Sequence, residues 1–437
     1  MHIPEYIKYI MQTLKQNGYS AYICGGAVRD CFIGKTPKDY DVITSATPQQ
    51  VKEIFFRTID TGIKHGTVTV IIDGNVAEVT TLRKDGIYKD NRHPEEVVFT
   101  DSLKEDVSRR DFTVNAMAVD LYGKMYDYYG GLYDLKDKTI KCVGNSDKRY
   151  KEDALRMMRA IRFSSVLGFT IEKETLNSIT KNAYLIKNIS NERIKDELCK
   201  ILMSDNPDSG IKLLAETNLL QYIIPELYDC VDFDQKNYHH RKDVFEHILI
   251  VVKNVPQRLI VRLSALLHDI GKPKTFFVKD GIGHFYHHHV EGALLAENIL
   301  QRLKFDNRTT SKVITLIREH MSRNKHLRSS SIKRFINRVG IDNLDDLFDL
   351  QIADIKGSAP PFDFSEVLSL KEEVNKILNE RQPLTVRDLD INGHDLIAIG
   401  YKPGKQIGDI LKNLLEKVLE NPELNKKDKL IEIVGCR

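Results

Sequence analysis

The sequence predicts an α+β head followed by helical segments, and three observations carry that reading. Short apolar runs bounded by turn residues alternate with helical patterns up to about residue 140. From about residue 150 onward the apolar positions recur at helical spacing instead. Punctuation then divides the helical part near Pro225, across the polar stretch Asp232–Arg241, and at Gly357, Ser358 and Pro360-Pro361. The expected segments are 1–140, 141–228, 235–360 and 365–437.

Ile3–Gln16 opens the chain with an amphipathic pattern and not with the apolar block of a secretion signal. Ala21–Cys24 is expected to be a short buried strand. The pair Gly25-Gly26 lets the backbone turn tightly and approach a ligand with no Cβ in the way. Val28–Ile33 resumes at helical spacing, so amide groups at a helix start can face an anion. Arg29 adds a permanently charged, planar donor for phosphate. Read as a strand, Lys38–Thr44 places Asp39 and Asp41 on one face through its period of two. Two carboxylates on one face suit Mg²⁺ and in-line attack on a nucleoside triphosphate. Thr67–Ile72 and Val76–Leu82 flank Asp73-Gly74-Asn75, a hairpin signal, with Glu78 on the second strand. Arg83–Pro94 is polar, has no apolar period and reads as a loop.

The glycine pair, the helical stretch and the Asp39-Tyr40-Asp41 pair resemble, in that order, the signature of the DNA polymerase β nucleotidyltransferase superfamily. With Arg109-Arg110-Asp111-Phe112-Thr113-Val114-Asn115-Ala116 and Glu152-Asp153-Ala154-Leu155-Arg156, the resemblance narrows to the bacterial class II branch. That branch holds CCA-adding tRNA nucleotidyltransferases and bacterial poly(A) polymerases. The resemblance implies a polymerase-β-like head with a mixed sheet, then a helical neck, body and tail. It makes Glu78 a third carboxylate facing the aspartate pair. It has the adjacent arginines Arg109 and Arg110 contact triphosphate and ribose, places Arg110 and Asp111 among the nucleotide-binding residues, and gives Asn115 a ribose hydroxyl or the bracing of the loop. Asp153 and Arg156 are three apart and on a helix would share a face. There the carboxylate accepts from the exocyclic amine of cytosine or adenine and the guanidinium donates to the ring acceptor beside it. Arg159 and Arg162 follow as further nucleotide-binding candidates. Arg162 is expected about half a turn from Asp153, toward phosphate, tRNA or packing. Arg83, Gly86, Tyr88, Asp90 and Arg92 keep the pattern of a full-length loop, which argues against an enzyme that adds only cytidines. In the implied reaction, Mg²⁺ held by Asp39, Asp41 and Glu78 binds the triphosphate of CTP or ATP. An RNA 3′-hydroxyl attacks the α-phosphorus and pyrophosphate leaves.

A second constellation comprises His247, His268, Asp269, His288, His320 and Asp354. Leu266-Leu267-His268-Asp269-Ile270-Gly271-Lys272 resembles the HD phosphohydrolase superfamily. Imidazoles and carboxylates at helix ends can hold one or two divalent transition metals and activate water. Among the consecutive His287, His288 and His289, His288 fits the family's spacing from Phe285. The implied activity is removal of 2′-phosphate or cyclic phosphate from RNA ends.

Composition sets outer bounds. The chain has 437 residues, enough for two to four domains, and a net charge of +3, too small by itself to indicate nucleic-acid binding. Distribution says more: between Arg302 and Arg334 there are ten Lys/Arg against two acids, Asp306 and Glu319. Six cysteines at 24, 31, 142, 199, 230 and 436 show no C-x-x-C pairing, which fits reduced thiols in a cytoplasmic protein. No run approaches the length of a membrane span, and no protein partner can be inferred. The segment Pro383–Gly393, with Gly400–Gly404 and Ile407-Gly408, resembles the tail of tRNA-adding members, and a break in helix is expected around Gly393–Gly408. The expected function is template-independent addition of CCA to tRNA 3′ ends from CTP and ATP. An A-adding enzyme or a poly(A) polymerase shares the same motifs. A rival of another class is a metal-dependent phosphohydrolase whose head only binds RNA.

Overall fold

The computed structural model describes residues 2–86, 97–234, 243–323, 328–380 and 382–435. Tyr88, Asp90 and Arg92 of the expected loop, most of the connector Asp232–Arg241, and Cys436 lie outside the described residues. The chain divides into two compact units, Met1–Tyr228 and Asp229–Arg437.

The first unit begins with α1 (Glu5–Gln16), β1 (Ala21–Cys24), α2 (Gly26–Phe32), β2 (Asp41–Thr44) and α3 (Pro48–Ile54). There follow β3 (Thr58–Gly62), β4 (Thr67–Ile72), β5 (Asn75–Thr81), β6 (Arg83–Asp85), β7 (Val97–Phe99), α4 (Leu103–Ser108), β8 (Met117–Asp120), β9 (Met125–Asp127) and α5 (Gly131–Lys136). Seven of these strands form one sheet in the order β3-β4-β5-β2-β1-β8-β9. β2 runs parallel to β5 while its other neighbour, β1, is antiparallel, so the sheet is mixed. Asp73 and Gly74 both take positive φ, 49° and 80°, the two-residue turn that matches strand twist and joins β4 to β5. α1 is amphipathic as expected: Ile7, Ile10, Met11 and Leu14 are fully buried, each contributing about 1.5–3 kcal/mol.

One expectation about β2 needs correcting. The strand starts at Asp41 and not at Lys38, so strand period does not set the direction of Asp39, which lies in the preceding loop. Pro37 and Lys38 precede it, and a strand cannot extend where its neighbour β1 ends at Cys24, opposite Asp41.

The unit continues with β10 (Thr139–Ile140), α6 (Ser146–Glu152), α7 (Leu155–Leu167), β11 (Thr170–Ile171), α8 (Lys173–Asn182), α9 (Asn191–Leu202), α10 (Pro207–Glu216), α11 (Leu220–Ile223) and α12 (Pro225–Tyr228). The short parallel pair β10–β11 ties the helical part to the end of the head. A second correction falls here. Asp153 and Arg156 do not share one helix: α6 ends at Glu152, and Asp153 has extended backbone, φ −141° and ψ 104°, before α7 begins at Leu155.

The second unit contains α13 (Val244–Asn254), α14 (Leu259–Leu267), α15 (Lys272–Thr275), β12 (Phe277–Lys279), β13 (Ile282–His284), α16 (His288–Arg302), α17 (Asn307–Glu319), α18 (Ser329–Val339) and α19 (Leu344–Gly357). The hairpin β12–β13 interrupts a stretch expected to be helical throughout. Then come α20 (Ser365–Asn379), α21 (Gly393–Ala398), α22 (Lys405–Glu420) and α23 (Lys427–Gly435). The expected break around Gly393–Gly408 is narrower than the sequence suggested. Asn392 caps α21 through a reciprocal box with Asp395, so helix already starts at Gly393. The last helices gather their own core of Leu389, Ile391, Leu396, Leu414, Val418 and Leu430.

Candidate active site and a second buried cluster

Sheet order builds the first site. β1 ends at Cys24, whose strand partners are Asp41 on β2 and Ala118 on β8. Asp41 in turn stands opposite Glu78 on β5. The glycine pair that follows β1 therefore turns beside two carboxylates held on adjacent strands. Gly25 has φ of 79°, and a Cβ there would lie 3.0 Å from Arg110 Nη1 and 3.8 Å from Asp41 Oδ2. A side chain at this position would therefore meet a guanidinium and a carboxylate.

A cavity of about 650 Å³ opens over these residues. It is lined by Gly25, Gly26, Arg29, Asp41, Glu78, Arg110, Asp111, Asn115, Asp153, Arg156, Arg159 and Arg162, so the structure brings together every nucleotide-site residue read from the sequence except Asp39. Asp39 stands beside the cavity, close enough for its charge to raise the pKa of Asp41 and Glu78. Burial is the larger cause for both carboxyls. Asp39 adds to it at each, Arg110 opposes it at Asp41, and Asp41 reinforces it at Glu78. Carboxyls raised by burial and by a neighbouring negative charge are relieved by a cation between them. The donor set of Asp39, Asp41 and Glu78 is all oxygen, which suits a hard divalent ion.

Eight arginines line the cavity, at 29, 83, 109, 110, 156, 159, 162 and 193, against four carboxylates at 41, 78, 111 and 153. That excess suits a polyanion such as a triphosphate. Most of the arginines are already anchored. Arg29 Nη1 donates to Asn115 Oδ1 at 2.6 Å, and Asn115 Nδ2 donates to Asp111 Oδ1 at 3.1 Å. Asn115 thus links Arg29 to Asp111 while also lining the cavity. Arg159 grips Asp111 Oδ2 through two hydrogen bonds of 2.8 and 2.6 Å. Burial would raise the Asp111 carboxyl, but the charge of Arg159 and the hydrogen bonds from Asn115 and Arg159 outweigh it and hold the group down at about 2. Arg156 pairs with Glu152 at 2.8 Å and donates to the Arg109 carbonyl at 3.1 Å. Asp153 pairs with Arg193 at 2.8 Å. The helix break at Asp153 turns its carboxylate toward α9, and both Asp153 and Arg156 still face the cavity. Arg162, expected to lie away from Asp153, lines the same cavity and pairs with Glu197 at 2.6 Å.

Several residues of the site were not singled out from the sequence. Fully buried Asp106 holds Arg109 at 2.7 Å and Arg110 at 3.6 Å, and so aims the arginine pair. Phe163 lies beneath Arg162, Arg159 and Arg29, whose guanidinium carbons are 4.0, 5.6 and 5.2 Å from its ring centroid. Arg193 and Glu197 come from α9, which carries no recognisable motif. The signal for Phe163 was its place one residue after Arg162.

The second site gathers all six residues expected of it. His247 sits in α13, His268 and Asp269 follow α14, His288 starts α16, His320 follows α17, and Asp354 lies in α19. All six are buried. Three imidazoles are fixed the same way. The Nδ1 atoms of His268, His288 and His320 lie 2.8, 2.8 and 2.6 Å from the carbonyls of Ala265, Phe285 and Ile317, each three residues back. After α14 and α17 these are carbonyls of a last helical turn, which lack intrahelical partners. With Nδ1 donating outward, Nε2 is left to face inward. His247 and His268 Nε2 are 3.2 Å apart, and His288 and His320 Nε2 are 3.4 Å apart. Asp354 Oδ1 is 3.0 Å from His247, and Asp269 Oδ1 is 3.4 Å from His288. Two sets result, His247–His268–Asp354 and Asp269–His288–His320, each with its ligand atoms within 4.8 Å of one another. Of the three consecutive histidines, His288 is the one in the cluster, as expected. Lys272 Nζ reaches Asp269 Oδ2 at 2.7 Å, and Arg323 reaches Asp354 Oδ2 at 2.9 Å. Inward-facing Nε2 lone pairs beside two carboxylates fit divalent cations.

Part of the basic stretch 302–334 is committed to ion pairs: Arg323 to Asp354, and Arg334 to Glu416 and Glu420. Cys24, Cys31, Cys142, Cys199 and Cys230 are free thiols. No helix among the described residues is long and apolar enough to cross a membrane.

Comparison with known proteins places these sites in context. Residues 21–141 match the Poly A polymerase head domain, 168–230 the RNA- and SrmB-binding site of polymerase A, and 287–434 the tRNA nucleotidyltransferase domain 2. The CCA-adding enzyme of Ligilactobacillus salivarius is 35% identical over 427 residues, covering 97% of this chain and 94% of its own. That of Geobacillus stearothermophilus is 50% identical over 214 residues, covering 49% of this chain and 53% of its own. Among solved structures, the Bacillus stearothermophilus CCA-adding enzyme in complex with CTP superposes with a TM-score of 0.74 at 30% identity, covering 100% of this chain and 98% of that one. The Thermotoga maritima CCA-adding enzyme complexed with tRNA shares the fold, with a TM-score of 0.59 at 21% identity over 98% of this chain and 94% of that one.

Proposed function

The chain belongs to the CCA-adding tRNA nucleotidyltransferases, and from that premise we propose that its first unit adds CCA to tRNA 3′ ends from CTP and ATP without a nucleic-acid template. The observation that carries this reading is one cavity holding the glycine turn, the strand-mounted carboxylates and the arginine ring together. Asp39, Asp41 and Glu78 would hold divalent cations, Mg²⁺ in our reading, which when bound neutralise the triphosphate and ease ionisation of the RNA 3′-hydroxyl. The arginines orient the phosphates, and Gly25 keeps space for them. Asp153 and Arg156 present one acceptor and one donor to the base edge. Cytosine and adenine both match that order with an amine beside a ring acceptor, whereas uracil and guanine place a carbonyl where the amine should be. We assign 1–140 to the head, 141–228 to the neck, 235–360 to a metal-binding body and 365–437 to a tail that docks tRNA, in a cytoplasmic protein.

The test uses tRNA transcripts ending in the discriminator base, in C or in CC, each with CTP, ATP or both. Three additions and no more on the shortest transcript, lost in Asp39→Ala/Asp41→Ala, is the expected result. One A on the CC-ended transcript alone would make the protein an A-adding enzyme, and long A tails would make it a poly(A) polymerase.

A second reading rests on the fixed imidazoles of the second unit. We propose that His247, His268 and Asp354, with Asp269, His288 and His320, hold divalent transition metals that serve hydrolysis of phosphate esters at RNA ends. Lys272 and Arg323 stand beside the cluster as donors for phosphate oxygens. Calorimetric titration with Co²⁺, compared with a His288→Ala/His320→Ala variant, tests the ligand assignment. Equal uptake by the two proteins would refute it.

A further inference from the structure

The hairpin β12–β13 was not expected from the sequence and has no part in either activity above. Its turn, Asp280-Gly281, has positive φ at both residues, 54° and 77°, and its strands pair Phe277 directly with His284. Side chains alternate between two faces. On the inner face Phe276 packs against Phe233 and Phe285, with centroids 5.3 and 5.4 Å away, and anchors the hairpin. On the outer face Phe277, His284 and Tyr286 form a patch of three rings with centroids 5.4–5.5 Å apart and planes inclined by only 19–42°. Cross-strand pairing accounts for Phe277 and His284. It does not account for Tyr286, which lies beyond the strand, is 63% exposed and extends the patch.

The position of this patch gives it meaning. Gly283, His284, Phe285 and Tyr286 form one wall of a cavity of about 440 Å³. The same cavity is lined by Asp269, His288, His320 and Asp354 of the metal-ligand cluster, together with Lys272 and Arg323. The volume lies within the roughly 300–1,000 Å³ of small-ligand sites. The lining thus combines charged groups suited to phosphate with the rings of His284 and Tyr286, against which Phe277 packs from outside the lining. A bare phosphate ester uses only the charged groups. A nucleoside phosphate uses both, because every base has a π-face to lay on a ring.

We propose that Phe277, His284 and Tyr286 form a nucleobase platform, so that the second unit takes a nucleoside phosphate, with its base on the hairpin and its phosphate at the histidine–aspartate cluster. The inference rests on the reading that the cluster binds divalent cations. The ligand is either a free nucleotide or the end of an RNA strand, which offer the same chemistry.

Fluorescence titration of the Co²⁺-loaded full chain with ethenoadenosine 2′-monophosphate tests it, with Tyr286→Leu and Tyr286→Trp as variants. Nucleotide bound by the first unit contributes equally to all three proteins, so a difference between them belongs to the hairpin. Leucine keeps apolar bulk without a ring, and an exposed position tolerates both changes. Tyr286→Leu is expected to weaken binding by roughly 5–100-fold, the scale of one base–aromatic stack, and Tyr286→Trp to restore it. Ribose phosphate, followed by calorimetry, is expected to bind wild type and Tyr286→Leu alike. A short single-stranded RNA ending in the same 2′-phosphate distinguishes the sources: tighter binding than the mononucleotide, with the same dependence on Tyr286, assigns an RNA end, and equal binding a free nucleotide. If Tyr286→Leu binds the nucleotide as wild type does while both bind ribose phosphate, the platform is overturned and the metal reading stands. If His288→Ala/His320→Ala matches wild type in Co²⁺ uptake and ribose phosphate binding, the metal reading falls and the platform loses its phosphate end with it.

Discussion

Asp111 is buried and nevertheless ionised, and its two neighbours explain why. Arg159 supplies a two-pronged ion pair, and Asn115 a hydrogen bond that links it onward to Arg29. A carboxyl held at about 2 against an ordinary 3.8 corresponds to about 2 kcal/mol of folding stability. Because the folded pKa lies below the unfolded one, that contribution is fully present above about pH 4 and is lost as pH falls toward 2. Asp111→Asn is therefore expected to lower unfolding free energy by about 2 kcal/mol near neutral pH, with the gap to wild type narrowing below about pH 4. Urea denaturation at stepped pH reads this directly, and a gap that stays constant down to about pH 3 would contradict it. Asp153 makes the other residue-scale prediction. Its carboxylate is held by Arg193 and lines the cavity, so removing it takes away the acceptor proposed for an exocyclic amine. Asp153→Ala should lower kcat/KM for CTP and ATP together and reduce their advantage over UTP by roughly 10–100-fold, as for loss of one base-edge contact. Single-nucleotide incorporation with each triphosphate measures that ratio; an unchanged ratio would remove Asp153 from base recognition.

At the scale of elements, glycines decide how closely helices approach the second site. A Cβ on Gly271 would lie 2.2 Å from the His288 carbonyl and 2.6 Å from the Gly292 amide, both backbone atoms of α16. Neither can step aside, so α16 would have to move and carry His288 out of the cluster. Gly271→Ala is expected to destabilise the second unit by roughly 1–3 kcal/mol and lower its melting temperature by about 2–12 °C. Calorimetry would show this as a shift confined to one unit's transition, with Co²⁺ uptake reduced; an unshifted transition with full uptake would mean that the helices have room to spare. Elements also show where sequence reading succeeded and failed. Asp73-Gly74 sits between β-branched runs and was legible as a hairpin. Asp280-Gly281 is the same turn with the same positive φ values, yet its strands are three residues long and embedded among helices and histidines, so local alternation was too short to stand out. Asp39 and Asp41 stood out because their spacing is local, and Glu78 only through the family resemblance. The bracing partners did not, because Asp106, Phe163, Arg193 and Glu197 reach the site only through tertiary packing. At the break Asp153 accepts from the Leu155 N–H at 3.1 Å and pairs with Arg193, forty residues away, and the second of these contacts is invisible in the helical pattern around it.

For the molecule as a whole, the informative fact is that, among the described residues, each site draws on one unit alone. The polar groups of the first site come from residues between Gly25 and Glu197, inside Met1–Tyr228. The ligands of the second come from residues between His247 and Asp354, inside Asp229–Arg437. Groups that share no partner and no hydrogen-bond network are energetically independent to within about 0.3–0.5 kcal/mol, or roughly twofold in a rate or binding constant. Asp39→Ala/Asp41→Ala should therefore cost at least ~100-fold in nucleotide addition, the scale of losing a charge contact made in the transition state. The same variant should leave Co²⁺ uptake by the histidine cluster within about twofold of wild type. His288→Ala/His320→Ala should do the reverse, losing Co²⁺ uptake while three-nucleotide addition to a discriminator-ended transcript stays within about twofold. Measuring both quantities on both variants closes the square. If the histidine variant slows CCA addition beyond that margin while its melting profile matches wild type, the units are coupled through tRNA itself. The substrate would then be the partner that both sites share, because among the described residues the two sites have no side chain in common.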